Sequence, residues 1–340
     1  MSDKPTSSIW SISDGRAGNA AQVNAIVRAL QAPSRWSRIT AMIGATSIAP
    51  AAVLQPRFPW TKLPSRFWIA PKQALPARYR SLLTPPWPSI WIGAGRRVAP
   101  FGKAIRRWSD GRTLTVQILN PQMNTAGFDL VIAPEHDKLD GPNVLSILGS
   151  PTYFSADQMS VAKRQIPQQT DPDRKAALVI LGGHSKTHRF TDEAAHRLSG
   201  QLRALASQGW DLLITTSRRT PDRVVRTMRD VAMSTGGAFW DGPETGPNPY
   251  LTWLLQADAA IVTEDSTNML SDAAYHGLPI HMVRLSGQSP KFDRLHHGFI
   301  KRGCAQWFDG TLHDWSYPVL SEADRAADAI LDLLGKKTRS

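Results

Sequence analysis

Between Gly15 and Ser109 the sequence contains no aspartate and no glutamate, while 15 lysines and arginines stand there. That stretch carries +15 by itself, against +12 for the whole 340-residue chain, so the remainder is slightly acidic. A basic half and a mildly acidic half predict two domains with different partners. Cysteine is nearly absent: Cys304 stands alone, which excludes an internal disulfide and fits a reducing compartment. No stretch approaches the roughly 18 uncharged apolar residues of a membrane span. The opening MSDKPTSSIWSISDGRAGNAAQ also lacks the continuous apolar core of a signal peptide. The expectation is a cytoplasmic protein, free to lie against the inner face of a membrane. No recognised nucleic-acid module is present, and basic charge alone gives weak, non-specific binding, so no specific nucleic-acid partner is expected.

What the chain does have is alternation. Short apolar runs and helical patterns succeed one another almost throughout, the signature of βα units around mostly parallel sheets. Predicted strands are Ser8–Ser13, Ser89–Gly93, Leu114–Leu119, Phe128–Ala133 and Val144–Leu148, then Ala177–Leu181, Asp211–Thr215, Ala259–Thr263 and Pro279–Arg284. Helices are expected near 19–30, 98–108, 191–207, 221–233, 266–276 and 322–334. The polar run RQIPQQTDPDRK reads as a linker. The division is therefore a basic domain over 1–163, a linker over 164–175, a second domain over 176–318, and a final segment over 319–340 whose helix is expected to return to the first domain. Gln55–Pro88 stands apart, rich in proline, cations and aromatics, with room for a regular element only near Ala77–Leu83.

Ligands of open parallel sheets gather at the carboxyl ends of strands, where helix N-termini present free N–H groups. Three such ends are unusual. In the run from Ile261 to Ala274, a strand passes through Glu264, Asp265 and Ser266 directly into a helix. Asp265 or Ser266 suits an N-cap, Thr267 and Asn268 add polar groups for a diphosphate, and Asp272 lies two turns on for a ribose diol. A well-capped helix with a solvated aspartate is the plainer reading. After the first strand of the second half, Gly182 and Gly183 permit close approach of a ligand, and Ser185 and Lys186 suit phosphate oxygens. The Walker spacing is absent there. His184 and His188 are four apart, but no third ligand is near and no metal is expected. Ser217 and Arg218 end the next strand, where an arginine suits phosphate. In the first half, Asp14 at a strand end is a candidate general base. Gly15, Arg16, Gly18, Gly95 and Arg96 would border an acceptor; an Asx turn explains Asp14 equally well.

At these residues the chain resembles a known family. SDGRAGNAAQ, WIGAGRR, LNPQ, DLVIAPEHD, LGGHSKTHRF, TTSRRTP and VTEDSTNMLSDAAYHGLP are similar to the mitochondrial fission factor family, plant fission proteins and bacterial relatives described as glycosyltransferases. The resemblance runs over roughly residues 8 to 318. It implies an α/β, GT-B-like fold, two Rossmann-like domains with mostly parallel sheets facing across a cleft. It also implies a nucleoside-diphosphate sugar as substrate, with no separate cofactor. In the wider GT-B group, which includes sugar epimerases, the phosphate positions fall on Ser266, Thr267 and Asn268 and the ribose position on Asp272. Epimerases have glycines where Thr267 and Asn268 stand, and glutamate at Asp272. The plant members are associated with recruiting a dynamin-like protein to the mitochondrial surface, so family membership alone does not imply catalysis.

The leading expectation is a metal-independent sugar transferase, inverting or retaining, with donor in the second domain and acceptor in the first. The mix of Trp60, Trp68 and Trp87 with cations predicts that Gln55–Pro88 touches an anionic membrane carrying a lipid-linked or lipopolysaccharide acceptor. A non-catalytic surface adaptor and a nucleotide-sugar epimerase are the alternatives.

Overall fold

Ile90, Trp91 and Ile92 are fully buried in succession, although strand side chains alternate between faces. A strand with no wet face must be covered on both sides. The computed structural model, which describes residues 7–68, 70–165, 170–171 and 173–339, shows how. The chain divides into two units, Met1–Tyr153 with Ser321–Ser340, and Phe154–Leu320.

In the first unit β1 (Ser7–Ser13), α1 (Ala17–Leu30), α2 (Pro33–Ile43), β2 (Thr46–Ile48) and β3 (Ala52–Val53) precede the short helix α3 (Ala77–Arg80). Then follow β4 (Ile90–Ala94), α4 (Ala99–Trp108), β5 (Leu114–Ile118), β6 (Leu130–Pro134) and β7 (Val144–Ile147). All the strands pair in parallel, in the order β2-β1-β4-β5-β6-β7, with β3 beside the end of β1. Ile9, Ile90 and Ile92 face α1 and the chain's last helix, α11 (Glu322–Lys337), which contributes Ala326, Ile330 and Leu334. That helix is tied down electrostatically as well. Arg35 of α2 reaches Asp324 at 2.6 Å and Asp328 at 2.8 Å, and the Leu148 amide donates to the buried Glu322 carboxylate at 3.2 Å.

Ile12 and Trp91 face the other way, toward Phe101 and Ile105 of α4 and toward Leu54, Leu75 and Leu83. The proline-rich segment is therefore an irregular cover for this face, with α3 and short 3-10 turns at Ser65–Phe67 and Pro71–Ala74. Its tryptophans do not serve as expected. Trp68 is buried against Phe101 with ring centroids 6.0 Å apart, Trp60 packs edge-on to Trp68, and Trp87 stacks on Trp108. A large indole gains most by filling the core where no regular element covers the sheet. Among the described residues of the segment, the large apolar side chains left outside are Phe58, Leu63, Phe67 and Leu82.

The second unit opens with α5 (Ala156–Gln165), which the division at residue 163 had assigned to the first half. It packs with the second unit, where the Thr252 hydroxyl donates to the Ala162 carbonyl at 2.9 Å. Of the expected linker, residues 166–169 and 172 lie outside the described residues. Then come β8 (Ala176–Leu181), β9 (His188–Arg189), α6 (Asp192–Ser207), β10 (Asp211–Thr216), α7 (Asp222–Thr235), β11 (Ala238–Trp240) and α8 (Tyr250–Gln256). The unit ends with β12 (Ala259–Thr263), α9 (Thr267–Tyr275), β13 (Ile280–Val283), β14 (Ser286–Gly287), α10 (Pro290–Lys301) and β15 (Ala305–Trp307). Its parallel sheet runs β11-β10-β8-β12-β13-β15, while β9 and β14 form a small antiparallel pair. Strand order therefore reverses between β8 and β12, and in the first sheet between β1 and β4. Such reversals leave the crevices in which doubly wound sheets bind ligands.

Candidate functional site

The residues singled out in the second half converge on the β8–β12 reversal. Thr263 closes β12, and its hydroxyl accepts from the Gly182 amide at 2.7 Å and donates to Asp265 at 2.8 Å. The Asp265 side chain is fully buried and accepts from the Gly183 amide at 3.1 Å and from Arg219 at 2.8 Å. The cluster thus joins the loops after β8, β10 and β12 into one body.

This geometry corrects the reading of the paired glycines. A Cβ on Gly182 would lie 2.1 Å from an Asp265 carboxylate oxygen, and one on Gly183 would lie 2.0 Å from the Arg219 carbonyl. Protein atoms occupy the space beside both residues, and both amides already have acceptors. The glycines are there for close packing of loop on loop. Asp265 likewise does not cap α9; its charge points into the loop junction. Ser266 is the N-cap residue and makes no side-chain cap bond. The first-turn N–H groups of α9 therefore have neither an intrahelical acceptor nor a cap, beside the half-exposed Thr267 and Asn268.

Two acids just before a helix N-terminus would oppose an anion, but both are buried and turned inward. Asp265 is paired with Arg219. Burial pushes the Glu264 carboxyl above its ordinary range, opposed by the Leu285 amide that donates to it and by nearby Arg284. His296, buried behind the turn, donates from Nε2 to the Glu264 carbonyl at 2.8 Å. Lys186 and Arg218 are exposed on the loops after β8 and β10, neither with a carboxylate partner among the described residues. The start of α9 can therefore accept an anion. Asp272, half-buried on α9, accepts from the Tyr250 hydroxyl at 3.0 Å, and burial with this carboxylate raises the Tyr250 phenol well above its usual range.

Ser185 and Ser217 serve their own loops. The Ser185 hydroxyl accepts from the Thr187 and His188 amides, and the Ser217 hydroxyl accepts from the Arg219 amide. The two histidines are structural. His184 Nδ1 accepts from the Phe190 amide at 3.2 Å, and His188 is buried edge-on against Phe292. Among the described residues no three His, Cys, Asp or Glu side chains come together as a metal site.

In the first unit, Asp14 ends β1 with its side chain almost fully buried. It accepts from the Asn19 amide group at 2.8 Å and from the Arg16 backbone at 3.2 Å, the latter an Asx turn. Gly95 closes over it at φ +92°, where a Cβ would meet Asn19 at 2.7 Å. Gly15 makes the turn at φ +85°, Gly18 lies in the first turn of α1, and Arg16 is exposed. Arg96 reaches away to Gln122 at 3.3 Å. Asp14, Asn19 and Gly95 thus meet at the first sheet's own reversal. Sequence reasoning missed Asn19, Thr263 and Tyr250. Of the adjacent arginines 218 and 219, it is Arg219 that makes the buried pair while Arg218 stays exposed, and the sequence carries no signal of which one turns inward.

The family described as "Mitochondrial fission ELM1" matches residues 17–334. "Mitochondrial fission protein ELM1" of Arabidopsis thaliana is 27% identical over 271 residues, which cover 72% of this chain and 63% of the plant protein, under two thirds of its length. "Uncharacterized protein RP120" of Rickettsia prowazekii (strain Madrid E) is 26% identical over 364 residues, covering 95% of this chain and 97% of that protein. Among solved structures, the glycotransferase of kitacinnamycin superposes with a TM-score of 0.52 at 13% identity, over 99% of this chain and 96% of the other. The UDP-GlcNAc 2-epimerase from Methanocaldococcus jannaschii gives 0.52 at 10% identity, over 94% and 98%. At such identities the likeness is one of fold, and the fold is of the GT-B type.

Proposed function

Because the chain belongs to the mitochondrial fission ELM1 family and has a GT-B-type fold, we propose that it is a glycosyltransferase taking a nucleoside-diphosphate sugar in its second unit. The observation that carries this reading is the uncapped start of α9 at the β8–β12 reversal, with Asp265 paired to Arg219 and Glu264 buried, its carboxyl pushed upward. The diphosphate rests on the first-turn amides with Thr267 and Asn268, while Asp272, oriented by Tyr250, accepts from the ribose hydroxyls. Lys186 and Arg218 neutralise the leaving diphosphate as the bond from the anomeric carbon breaks, without a metal. The acceptor hydroxyl attacks that carbon as the diphosphate leaves and gives its proton to a carboxylate base; within the first unit the carboxylate suited to that role is Asp14, held by Asn19. The two solved structures of like fold, a glycotransferase and a UDP-GlcNAc 2-epimerase, support a sugar-nucleotide ligand. The acceptor is lipid-linked at a membrane surface, reached through Gln55–Pro88. On this reading the protein is cytoplasmic and peripheral to the membrane; no helix among the described residues is long and apolar enough to cross one.

Titration calorimetry with UDP, ADP, GDP and their sugars tests this. One nucleotide binds, and Asp272→Ala weakens it about tenfold, the loss of one hydrogen-bonding carboxylate. Absence of binding by every nucleotide, or equal binding by the variant, would refute it. The fission proteins in the family favour a second reading, a surface adaptor, which predicts that no nucleotide binds.

A further inference from the structure

A hollow of about 810 Å³ lies in the first unit between α4, the turns around Ser65–Pro71 and the loop Met123–Gly127. Four cations line it, Arg66, Lys103, Arg106 and Arg107, against one carboxylate, Asp110. Arg106 is partly satisfied by Asp129 at 3.3 Å, and Asp110 faces Arg112 at 3.7 Å. Arg66, Lys103 and Arg107 have no carboxylate partner among the described residues. Lys103 and Arg107 are four apart on one helix, a like-charge spacing that costs a few tenths of a kcal/mol unless an anion sits between them. The helix dipole accounts for Arg106 and Arg107 in the last turn of α4. It does not account for Lys103, whose stem lies across Gly127 so closely that a Cβ there would be 3.0 Å away. Nor does it account for Arg66, which comes from the opposite wall.

The segment that supplies Arg66 to this hollow also carries apolar side chains into solvent, and one of them, Leu63, lines the adjoining hollow. Phe67, next to Arg66, is 62% exposed, Leu63 48% and Phe58 76%. The Arg66 guanidinium lies 4.7 Å from the Phe67 ring centroid. An adjoining hollow shares Ser65, Arg66 and Trp68 and adds Lys62, Arg96 and Arg97. Three large apolar side chains exposed within ten residues would lose free energy in water unless something covers them, and the cations around them select an anionic cover.

We propose that this hollow binds the terminal, unesterified phosphate of a membrane lipid headgroup, with Phe58, Leu63 and Phe67 entering the acyl boundary beside it. Lys103 and Arg107 take the phosphate oxygens from the helix side and Arg66 from the turn side, since guanidinium groups match phosphate in a planar fork. The inference rests on the membrane contact contained in the proposed function and names the lipid chemistry that contact recognises.

The test is flotation of the full chain with phosphatidylcholine vesicles containing either phosphatidate, which has a terminal phosphate, or phosphatidylserine, at matched surface charge. The native protein binds phosphatidate vesicles about tenfold more tightly, the value of one extra charge-assisted contact. The pair Lys103→Gln with Arg107→Gln abolishes that preference, whereas Arg28→Gln with Arg226→Gln, which removes the same charge elsewhere, preserves it. Phe67→Ser weakens binding to both vesicles and leaves the preference intact. Equal binding of the native protein to both vesicles overturns the phosphate site while leaving general membrane contact standing. Binding to neither overturns both. A preference that survives the Lys103/Arg107 pair, or tight binding of inorganic pyrophosphate without any vesicle preference, also overturns it. Calorimetry with nucleotides on the same variants reports the second-unit site separately.

Discussion

Replacing Arg219 with methionine keeps the aliphatic stem but removes the guanidinium that meets Asp265 at 2.8 Å. The Asp265 side chain has no exposure at all, so no water can take the place of the lost partner, and two donors remain, the Gly183 amide and the Thr263 hydroxyl. Stripping a fully buried pair of one member costs about 3–5 kcal/mol. The Arg219 side chain is 43% exposed, so solvent already screens it, and the expected cost falls to about 1.5–2.5 kcal/mol. For a unit of this size that is a drop of roughly 3–10 °C in the melting of the second unit. The measurement is a double-mutant cycle by thermal and urea unfolding. In an Asp265→Asn background, where no buried charge is left to strand, Arg219→Met should cost less than about 0.5 kcal/mol. The coupling should persist in high salt, because the carboxylate lies inside the protein. Equal losses in the two backgrounds would refute the claim that this pair locks the loops after β8, β10 and β12 together.

Two further outcomes follow from burial. The pKa values of His276 and His281 are pushed down to about 4, by desolvation in both and by neighbouring His313 in the second. Their unfolded values are near 6.5, so the unfolded chain binds more protons between those limits. The stabilisation is complete above about 6.5 and is lost as pH falls toward 4, by at most ~1.4 kcal/mol per pH unit per imidazole. His281→Gln should reduce the slope of melting temperature against pH in this window, and an unchanged slope would contradict the assignment. Burial also raises the Cys304 thiol to about 11. Thiol reagents at mildly alkaline pH should therefore modify native protein at least about a hundredfold more slowly than denatured protein; equal rates would show that the thiol is accessible.

Much of the architecture follows from local pattern. The run Ala259–Thr263 is a strand with the bounds its apolar residues suggest, and Ile90–Ala94 and Ala176–Leu181 differ from expectation by a residue or so, because a strand buried on both faces is a continuous apolar run. Less regular pieces escaped. The helix α2 starts on Pro33 and buries only Ile39 fully, so its period is faint. The helix α10 places His296 among its buried residues, where hydrophobicity alone does not look for one.

The chemistry at the strand ends divides in the same way. Composition marked the stretches 14–18, 182–187 and 264–272, and these do end strands at the two sheet reversals. What each side chain does there depended on partners remote in sequence. Gly183 and Asp265 are 82 residues apart, and Tyr250 stands 22 before Asp272. Trp60, Trp68 and Trp87 read as a membrane surface by composition, yet they cover a bare sheet face, while Phe58, Leu63, Phe67 and Leu82 are left in water.

From the amino-acid order alone came the parallel α/β class, the position of most elements and the uneven charge, since each depends on neighbours along the chain. Only the tertiary structure decided which acid is buried against which arginine, which glycines are packed against protein, and which face of the basic segment meets solvent. Those outcomes depend on excluded volume and desolvation between residues that periodicity cannot relate.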